Sequence, residues 1–203
     1  MCKSVVIIGS GGHGRVVADI VKKSGDKVVG FLDDFNTGEH IIGKISDCEK
    51  FADYSFVIAI GSNKIRRDIY EKYSELKYYT AIHPRAVISE NVTLGAGTVV
   101  MANAVINSGA IVGTHTIINT ACVVEHDNKI GNFVHISPGA VLCGTVMVGD
   151  VTHIGAGAVV KNNIDICGEC KIGCGAAVVK NITKPGVYVG VPAILNTEDT
   201  YNI

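Results

Sequence analysis

The chain has 203 residues, enough for one or two small domains, and its formal net charge at pH 7 is −1. A nearly neutral chain lacks the basic field that binds nucleic acid or an anionic membrane, and no apolar run approaches the ~18 residues of a membrane span. No secretory signal pattern precedes the first predicted strand. We therefore expect a cytoplasmic protein whose seven cysteines are reduced.

Residues 1–81 predict a small Rossmann-like α/β half-domain. Strands are expected at 4–9, 28–32 and 56–61, and helices at 15–23 and from 63 to about 76. Strand, helix, strand, strand and helix in this order are typical of such a unit.

A glycine-rich loop, Gly9-x-Gly11-x-x-Gly14, joins the first strand to the first helix. Glycines here let backbone N–H groups approach a phosphate at the helix N-terminus. Asp33 and Asp34 lie about 20 residues further on, where an acid binds ribose in dinucleotide folds. The unit has only half of the repeats that cradle a dinucleotide. We therefore favour a nucleotide-sugar diphosphate over NAD, with a tight turn that binds nothing as the remaining alternative.

From Ile82 to Thr183 the chain repeats every six residues. The first position of all 17 hexads is Ile, Leu or Val, and the fifth is small or apolar everywhere except at Asn128. A period of six predicts short strands joined by turns, as in a hexapeptide parallel β-helix. Three hexads then form one coil, and residues 18 apart stack in neighbouring coils.

Two further features bear on partners and metals. The last positions of early hexads are apolar, which predicts an exposed ridge that a second copy of the chain covers: Val99, Val105, Ile111, Ile117 and Val123. Cys167, Cys170 and Cys174 resemble a zinc motif. The repeat, however, places Cys170 at an inward position and the other two at different positions, so we expect no metal site.

One hexad carries polar residues where the others carry small ones, namely Glu125-His126-Asp127-Asn128. A histidine between two carboxylates suits a general base, because a carboxylate fixes the ring tautomer and stabilises the imidazolium. Gly144 is expected to stack on His126, where its N–H would bind an oxyanion. The alternative for His126 is a solvated turn histidine, and for His153, which shares a column with His135, that alternative is favoured.

Taken together, the motifs resemble the sugar O-/N-acyltransferase family that includes the sialic acid O-acetyltransferases. Within it the chain looks closest to the bacterial UDP-4-amino-sugar N-acetyltransferases of the bacillosamine pathway. The motifs that carry the resemblance are Gly9-Ser10-Gly11-Gly12-His13-Gly14, Phe31-Leu32-Asp33-Asp34, Ile60-Gly61-Ser62-Asn63, Asn119, Glu125-His126-Asp127, His135 and Gly190-Val191-Pro192-Ala193.

The resemblance implies a left-handed β-helix over 82–193 behind the Rossmann-like unit, followed by a polar tail at 194–203. It also implies a homotrimer with active sites between subunits, acetyl-CoA in a groove between two β-helices, and no metal. The implied reaction acetylates the C4 amine of a UDP-4-amino-4,6-dideoxy-N-acetylglucosamine and gives UDP-N,N′-diacetylbacillosamine.

The resemblance also assigns roles to individual residues. His126 would accept a proton from the amine, with Asp127 or Glu125 as its acidic partner and Asn119 positioning the amine. The nucleotide sugar would contact Gly11, Gly12, His13, Asp33, Asp34, Gly61 and Asn63. Acetyl-CoA would contact His135, Gly144, Ala156 and Cys174.

Three functions stay open at this point. The first is the N-acetyltransferase just described. The second is an O-acetyltransferase acting on sialic acid or another surface sugar, or an N-acyltransferase acting on a different nucleotide amino sugar. The third is a scaffold that has kept the β-helix without catalysis.

Overall fold

A computed structural model describes residues 2–197, and its N-terminal part is a parallel sheet with two helices. The elements are β1 (Ser4–Ile8), α1 (Gly12–Lys23), β2 (Lys27–Leu32), β3 (Ile41–Gly43), a 3₁₀ helix (Ile45–Phe51), β4 (Ser55–Ile58) and α2 (Asn63–Lys72). The strand order is β3-β2-β1-β4. The run Val5 to Ile8 is fully buried, as expected for a central parallel strand covered on both faces.

Several predicted helix and strand bounds differ from the observed ones, and strand β4 ends at Ile58 instead of residue 61. Helix α1 begins at Gly12 rather than at residue 15, so the glycine motif forms the first turn of the helix itself. Helix α2 ends at Lys72 instead of near 76. Strand β3 and the 3₁₀ helix were not predicted, because a three-residue strand is too short to show an alternating pattern.

The remainder is a β-helix built from two-residue strands. These are β5 (Ala81–Ile82), β6 (Val87–Ile88), β7 (Thr93–Leu94), β8 (Val99–Val100), β9 (Val105–Ile106), β10 (Ile111–Val112), β11 (Ile117–Ile118), β12 (Val123–Val124), β13 (Lys129–Ile130), β14 (His135–Ile136), β15 (Val141–Leu142), β16 (Met147–Val148), β17 (His153–Ile154), β18 (Val159–Val160), β19 (Asp165–Ile166), β20 (Lys171–Ile172), β21 (Ala177–Val178), β22 (Val187–Val189) and β23 (Ile194–Leu195). Parallel pairs join residues 18 apart, such as Ile118 and Ile136. The predicted fold class is thereby confirmed.

The β-helix has three faces, which we name by their strands. The first face contains β5, β8, β11, β14, β17, β20 and β22; the second contains β6, β9, β12, β15, β18 and β21; the third contains β7, β10, β13, β16 and β19. The hexad positions predicted to point inward form one continuous core, in which Ile106, Ile118 and Leu142 are fully buried. Strand β23 pairs with β22, so Ile194 and Leu195 are part of this sheet and not of a polar tail. Residues 198–203 of the predicted tail lie outside the described residues.

The N-terminal sheet packs on the first face of the β-helix. One apolar cluster joins Val17 and Ile20 of α1 to Val99 and Ile117 of the β-helix, where the last two are at most 1 % exposed. The prediction of one exposed ridge is therefore wrong: the N-terminal unit covers Val99 and Ile117, and the other three predicted members lie on different faces, Val105 and Val123 on the second and Ile111 on the third. Within residues 2–197, no helix is long and apolar enough to cross a membrane.

Candidate active site

His126 lies in the turn between β12 and β13, at the edge between the second and third faces. Its Nδ1 lies 2.8 Å from Oδ2 of Asp127, and both side chains are exposed. Asp127 has a left-handed backbone (φ 59°), a conformation that Asp tolerates better than most residues. With Nδ1–H donated to this carboxylate, Nε2 is left as the proton acceptor.

Glu125 is placed differently. Its Oε2 accepts a long hydrogen bond of 3.4 Å from the backbone N of His126, and no described hydrogen bond joins it to the ring. Of the two carboxylates predicted as partners of His126, the structure brings Asp127 to the imidazole.

Gly144 lies directly against the His126 ring. A Cβ atom built on Gly144 would be 2.5 Å from Nε2 of His126, so any larger residue here would displace the His126 ring from this position. The predicted stacking of the two residues is observed. Among the described residues the N–H of Gly144 donates to no backbone acceptor, while its carbonyl accepts from the backbone N of Asn163.

Asn128 braces this turn from inside the β-helix. The side chain is fully buried, and its Nδ2 donates to the carbonyls of Glu125 (2.5 Å) and Cys143 (3.1 Å). Its Oδ1 accepts from the backbone N of Val146 at 3.1 Å. The residue that breaks the small-or-apolar pattern in the sequence therefore fixes the backbone that carries His126, since a buried amide needs partners.

A cavity of about 870 Å³ opens between the glycine loop, the segment after β2 and the segment after β4. Six of the seven residues predicted to bind the nucleotide sugar line it: Gly11, Gly12, His13, Asp33, Asp34 and Gly61. Helix α1 has no side-chain cap and no acid in its first turn, so its N-terminal N–H groups are open to an anion. Neither Gly11 nor Gly61 has an atom within 4 Å of where a Cβ would stand.

Both carboxylate oxygens of Asp33 accept hydrogen bonds from within the chain. Its carboxylate accepts hydrogen bonds from the N and Oγ of Ser10, from the backbone N of Phe35, and from the backbone N and Nδ2 of Asn36. Desolvation opposes ionisation, but the bonds from Asn36, Ser10 and Phe35 outweigh it and hold the pKa of Asp33 well below its usual value. Asp33 thus joins the glycine loop to the segment after β2 and shapes the cavity.

Asp34 is only partly committed. One carboxylate oxygen accepts from the backbone N of Ile45 at 2.9 Å, and the second has no hydrogen-bond donor among residues 2–197. Of the two acids predicted to contact the nucleoside, Asp34 is the one with a free acceptor.

Asn63 does not line the cavity, contrary to the prediction. Its Nδ2 donates to the carbonyls of Val151 (3.1 Å) and Thr152 (3.0 Å), and its Oδ1 accepts from Arg66. Asn63 is 7 % exposed and joins the start of α2 to the β-helix.

Arg66 is the main residue that sequence reasoning missed. It is 1 % exposed, and its guanidinium donates to the carbonyls of His115, Ile60, Gly61, Phe133 and Val134 and to Oδ1 of Asn63. Desolvation lowers its pKa to about 9, so the group stays charged at neutral pH. Helix periodicity alone cannot tell this buried arginine from its neighbour Arg67, because the distinction depends on packing against the β-helix.

His135 lies on the first face, next to the N-terminal unit. Its Nε2 is 2.9 Å from Nδ2 of Asn119, and its ring centroid is 4.7 Å from that of His153 and 6.5 Å from that of His13. Burial, with the nearby His153 charge, lowers the pKa of His135 to about 3. Asn119 was predicted to act beside His126, but the structure pairs it with His135.

The predicted cofactor residues fall on two edges of the β-helix. Ala156 and Cys174 are exposed neighbours in successive coils at the edge between the first and second faces. Gly144 and His126 are at the edge between the second and third faces. In a triangular cross-section that edge is opposite the first face, on which the N-terminal unit packs, and the cavity is lined by residues of that unit. A single chain therefore does not bring His126 to the cavity.

The three cysteines of the zinc-like motif differ in burial and contacts. Cys170 is buried and Cys174 exposed, while Sγ of Cys167 lies 3.5 Å from Sγ of Cys170. Among residues 2–197, no group of three or more His, Cys, Asp or Glu residues is arranged to hold a metal ion.

Comparison with known proteins adds a family context. Residues 4–73 match the model described as PglD N-terminal domain. UDP-N-acetylbacillosamine N-acetyltransferase of Bacillus subtilis is 38 % identical over 114 residues, which is 49 % of this chain and 52 % of that protein. The chain thus spans about half the length of this curated relative.

Two solved structures match along nearly their whole length. The acetyltransferase domain of PglB from Neisseria gonorrhoeae, in complex with acetyl coenzyme A, is 34 % identical with a TM-score of 0.93, covering 97 % of this chain and 100 % of that one. A variant of perosamine N-acetyltransferase from Caulobacter crescentus, in complex with CoA and GDP-perosamine, is 32 % identical with a TM-score of 0.91, covering 98 % and 99 %.

Proposed function

The chain belongs to the sugar N-acetyltransferase family, and from this premise we propose that it transfers the acetyl group of acetyl-CoA to the C4 amine of a nucleotide-activated amino sugar. The family and enzyme class predicted from the sequence are confirmed by the relatives, two of which hold CoA or acetyl-CoA. The observation that carries the proposal is the His126–Asp127 pair lying against Gly144, whose N–H donates to no backbone acceptor among residues 2–197.

The acceptor that we propose is UDP-4-amino-4,6-dideoxy-N-acetylglucosamine. Its support is the name of the Bacillus subtilis relative, together with a cavity that offers open N–H groups to a diphosphate. A 4-amino sugar on a guanine nucleotide is the second candidate, favoured by the Caulobacter crescentus relative bound to GDP-perosamine.

In the proposed reaction the amine nitrogen attacks the thioester carbonyl. Nε2 of His126 accepts one proton from the amine, and Asp127 stabilises the imidazolium that forms. The N–H of Gly144 donates to the oxygen that becomes negative in the tetrahedral intermediate. Collapse of the intermediate breaks the C–S bond, and the CoA thiolate takes the proton from His126.

The placement of His126 leads to a proposal about assembly. Because His126 and the cavity are on opposite sides of one β-helix, the reaction needs His126 of one copy beside the cavity of another. The second face supports such packing, since its outward column is entirely aliphatic and two of its members, Val87 and Val159, are 62 % and 43 % exposed. A homotrimer would place acetyl-CoA between His135, Ala156 and Cys174 of one copy and Gly144 of the next.

The test measures thiol release from acetyl-CoA with the UDP-4-amino sugar, GDP-perosamine and sialic acid, using His126→Ala as the control. Turnover with the UDP-4-amino sugar, lowered roughly 10²- to 10⁴-fold in the variant, is the expected result. Turnover with GDP-perosamine alone would show that the substrate carries a guanine nucleotide instead of UDP. Turnover with sialic acid alone would show that the enzyme is an O-acetyltransferase. A variant as active as the native protein would refute the role of His126.

A further inference from the structure

Arg66 is a buried cation without a buried anion. Its guanidinium has no carboxylate within ion-pair distance among residues 2–197, and every acceptor it uses is a neutral oxygen. Burying an uncompensated charge is expensive, and an apolar side chain of similar size often serves a purely structural role at least as well. The cost therefore suggests that the charge has a use.

The guanidinium lies one peptide unit behind the wall of the cavity. Its Nη1 donates to the carbonyl of Ile60 at 2.9 Å and to that of Gly61 at 3.4 Å, and both residues line the cavity. In a trans peptide the C=O and N–H bonds point in opposite directions. Carbonyls that point toward Arg66 therefore turn the N–H groups of Gly61 and Ser62 away from it.

Those N–H groups have the surroundings of an unoccupied donor pair. Among residues 2–197 neither Gly61 nor Ser62 donates a backbone hydrogen bond, and no atom beyond the neighbouring residues lies within 4 Å of where a Cβ on Gly61 would stand. Ser62 is also the N-cap of α2, so the positive end of this helix dipole adds positive potential at the N–H groups of Gly61 and Ser62. The N-terminus of α1 borders the cavity on the other side.

We propose that Arg66 is a positioning residue for substrate binding: it holds and polarises the 60–62 peptides so that the N–H of Gly61, and with it the start of α2, binds an anionic oxygen of the nucleotide sugar. Together with the glycine loop, this segment forms a two-sided cradle for the diphosphate. The inference rests on the proposed function, because it requires that the cavity binds a nucleotide diphosphate.

Titration calorimetry with UDP alone tests the inference, together with the KM for acetyl-CoA and the melting temperature. Arg66→Met is expected to weaken UDP binding about tenfold, the value of one hydrogen bond to a charged group. The KM for acetyl-CoA is expected to change less than about twofold, because Arg66 has no hydrogen bond to Gly144, Ala156 or Cys174 and reaches only the carbonyls of Phe133 and Val134 beside His135. Arg66→Lys keeps the positive charge but loses the planar guanidinium with its several N–H donors. Its UDP affinity is therefore expected to fall between that of the native protein and that of Arg66→Met.

Arg67→Met is the matched control. Arg67 is on the same helix and also reaches the β-helix, through Glu169 at 3.4 Å, but its charge is partly exposed and paired. Its loss is expected to leave UDP affinity within about twofold. Should Arg66→Met fail to fold, Arg66→Lys carries the comparison.

Gly61→Ala separates failure of the inference from failure of the proposed function. A methyl group fits the empty space beside Gly61 but intrudes on a bound phosphate, so UDP binding should weaken. If Gly61→Ala weakens UDP binding while Arg66→Met and Arg66→Lys do not, Arg66 has no such role. Equal rises in the KM values of both substrates would also overturn it, since they indicate general loosening. If the native protein binds no UDP, the proposal that this cavity binds a uridine nucleotide is wrong.

Discussion

Replacing Asp127 with Asn tests which acid assists His126. The structure places Oδ2 of Asp127 2.8 Å from Nδ1, while Glu125 reaches only the backbone N of His126 at 3.4 Å. Asparagine keeps a hydrogen-bond acceptor and tolerates the left-handed backbone at this position, so the substitution removes the charge with little strain.

The magnitude follows from the contact that is lost. A hydrogen bond to a charged group contributes about 1.5–3 kcal/mol, which corresponds to a loss of about 10- to 100-fold in kcat when it acts on the imidazolium. Both side chains are more than half exposed in the single chain, so solvent screening favours the lower end. Burial of the pair by a second copy would move the effect toward the upper end.

The assay is the initial rate of thiol release at saturating acetyl-CoA, with Glu125→Gln as the matched variant. We expect Glu125→Gln to retain kcat within about twofold, because it removes only a long surface contact. A larger loss in Glu125→Gln than in Asp127→Asn would contradict the assignment of Asp127. Equal and complete retention of activity by both would mean that His126 needs no acid.

Three further predictions concern the turn and the buried histidines. Gly144→Ala is expected to displace the His126 ring and, by moving the general base, to lower kcat about 10²-fold or more while the melting temperature changes little; a variant with native kcat would contradict the need for His126 in this position. Asn128→Ala should cost about 1–3 kcal/mol of unfolding free energy, measured in urea, by leaving buried carbonyls unpaired; Asn128→Thr should recover part of it. Burial lowers the pKa values of three histidines to about 4, 4 and 3, namely His13, His115 and His135. Between pH 6.5 and pH 4 the unfolded chain therefore binds more protons than the folded one. The free energy of unfolding is independent of these histidines above pH 6.5 and falls as the pH drops toward 4, by up to ~1.4 kcal/mol per pH unit for each histidine. A flat urea midpoint between pH 7 and pH 5 would refute this.

The sequence by itself determined the β-helix and the stacking of His126 on Gly144. Both follow from a strict six-residue period, because a repeat fixes which residues face inward and which residues 18 apart touch. The glycine loop likewise indicated a helix N-terminus beside a phosphate-sized space, although the helix begins three residues earlier than predicted, at Gly12.

The tertiary structure alone decided how the N-terminal unit sits on the β-helix. That contact buries Val99 and Ile117, turns Asn63 away from the cavity, and gives the Arg66 guanidinium its carbonyl partners. It also decided that Asn119 meets His135 and that His126 is on the opposite edge from the cavity. The physical reason is that a packing contact between two units has no period along the chain: it depends on how two complete surfaces fit, and the sequence pattern of either surface is the same whether or not the other covers it.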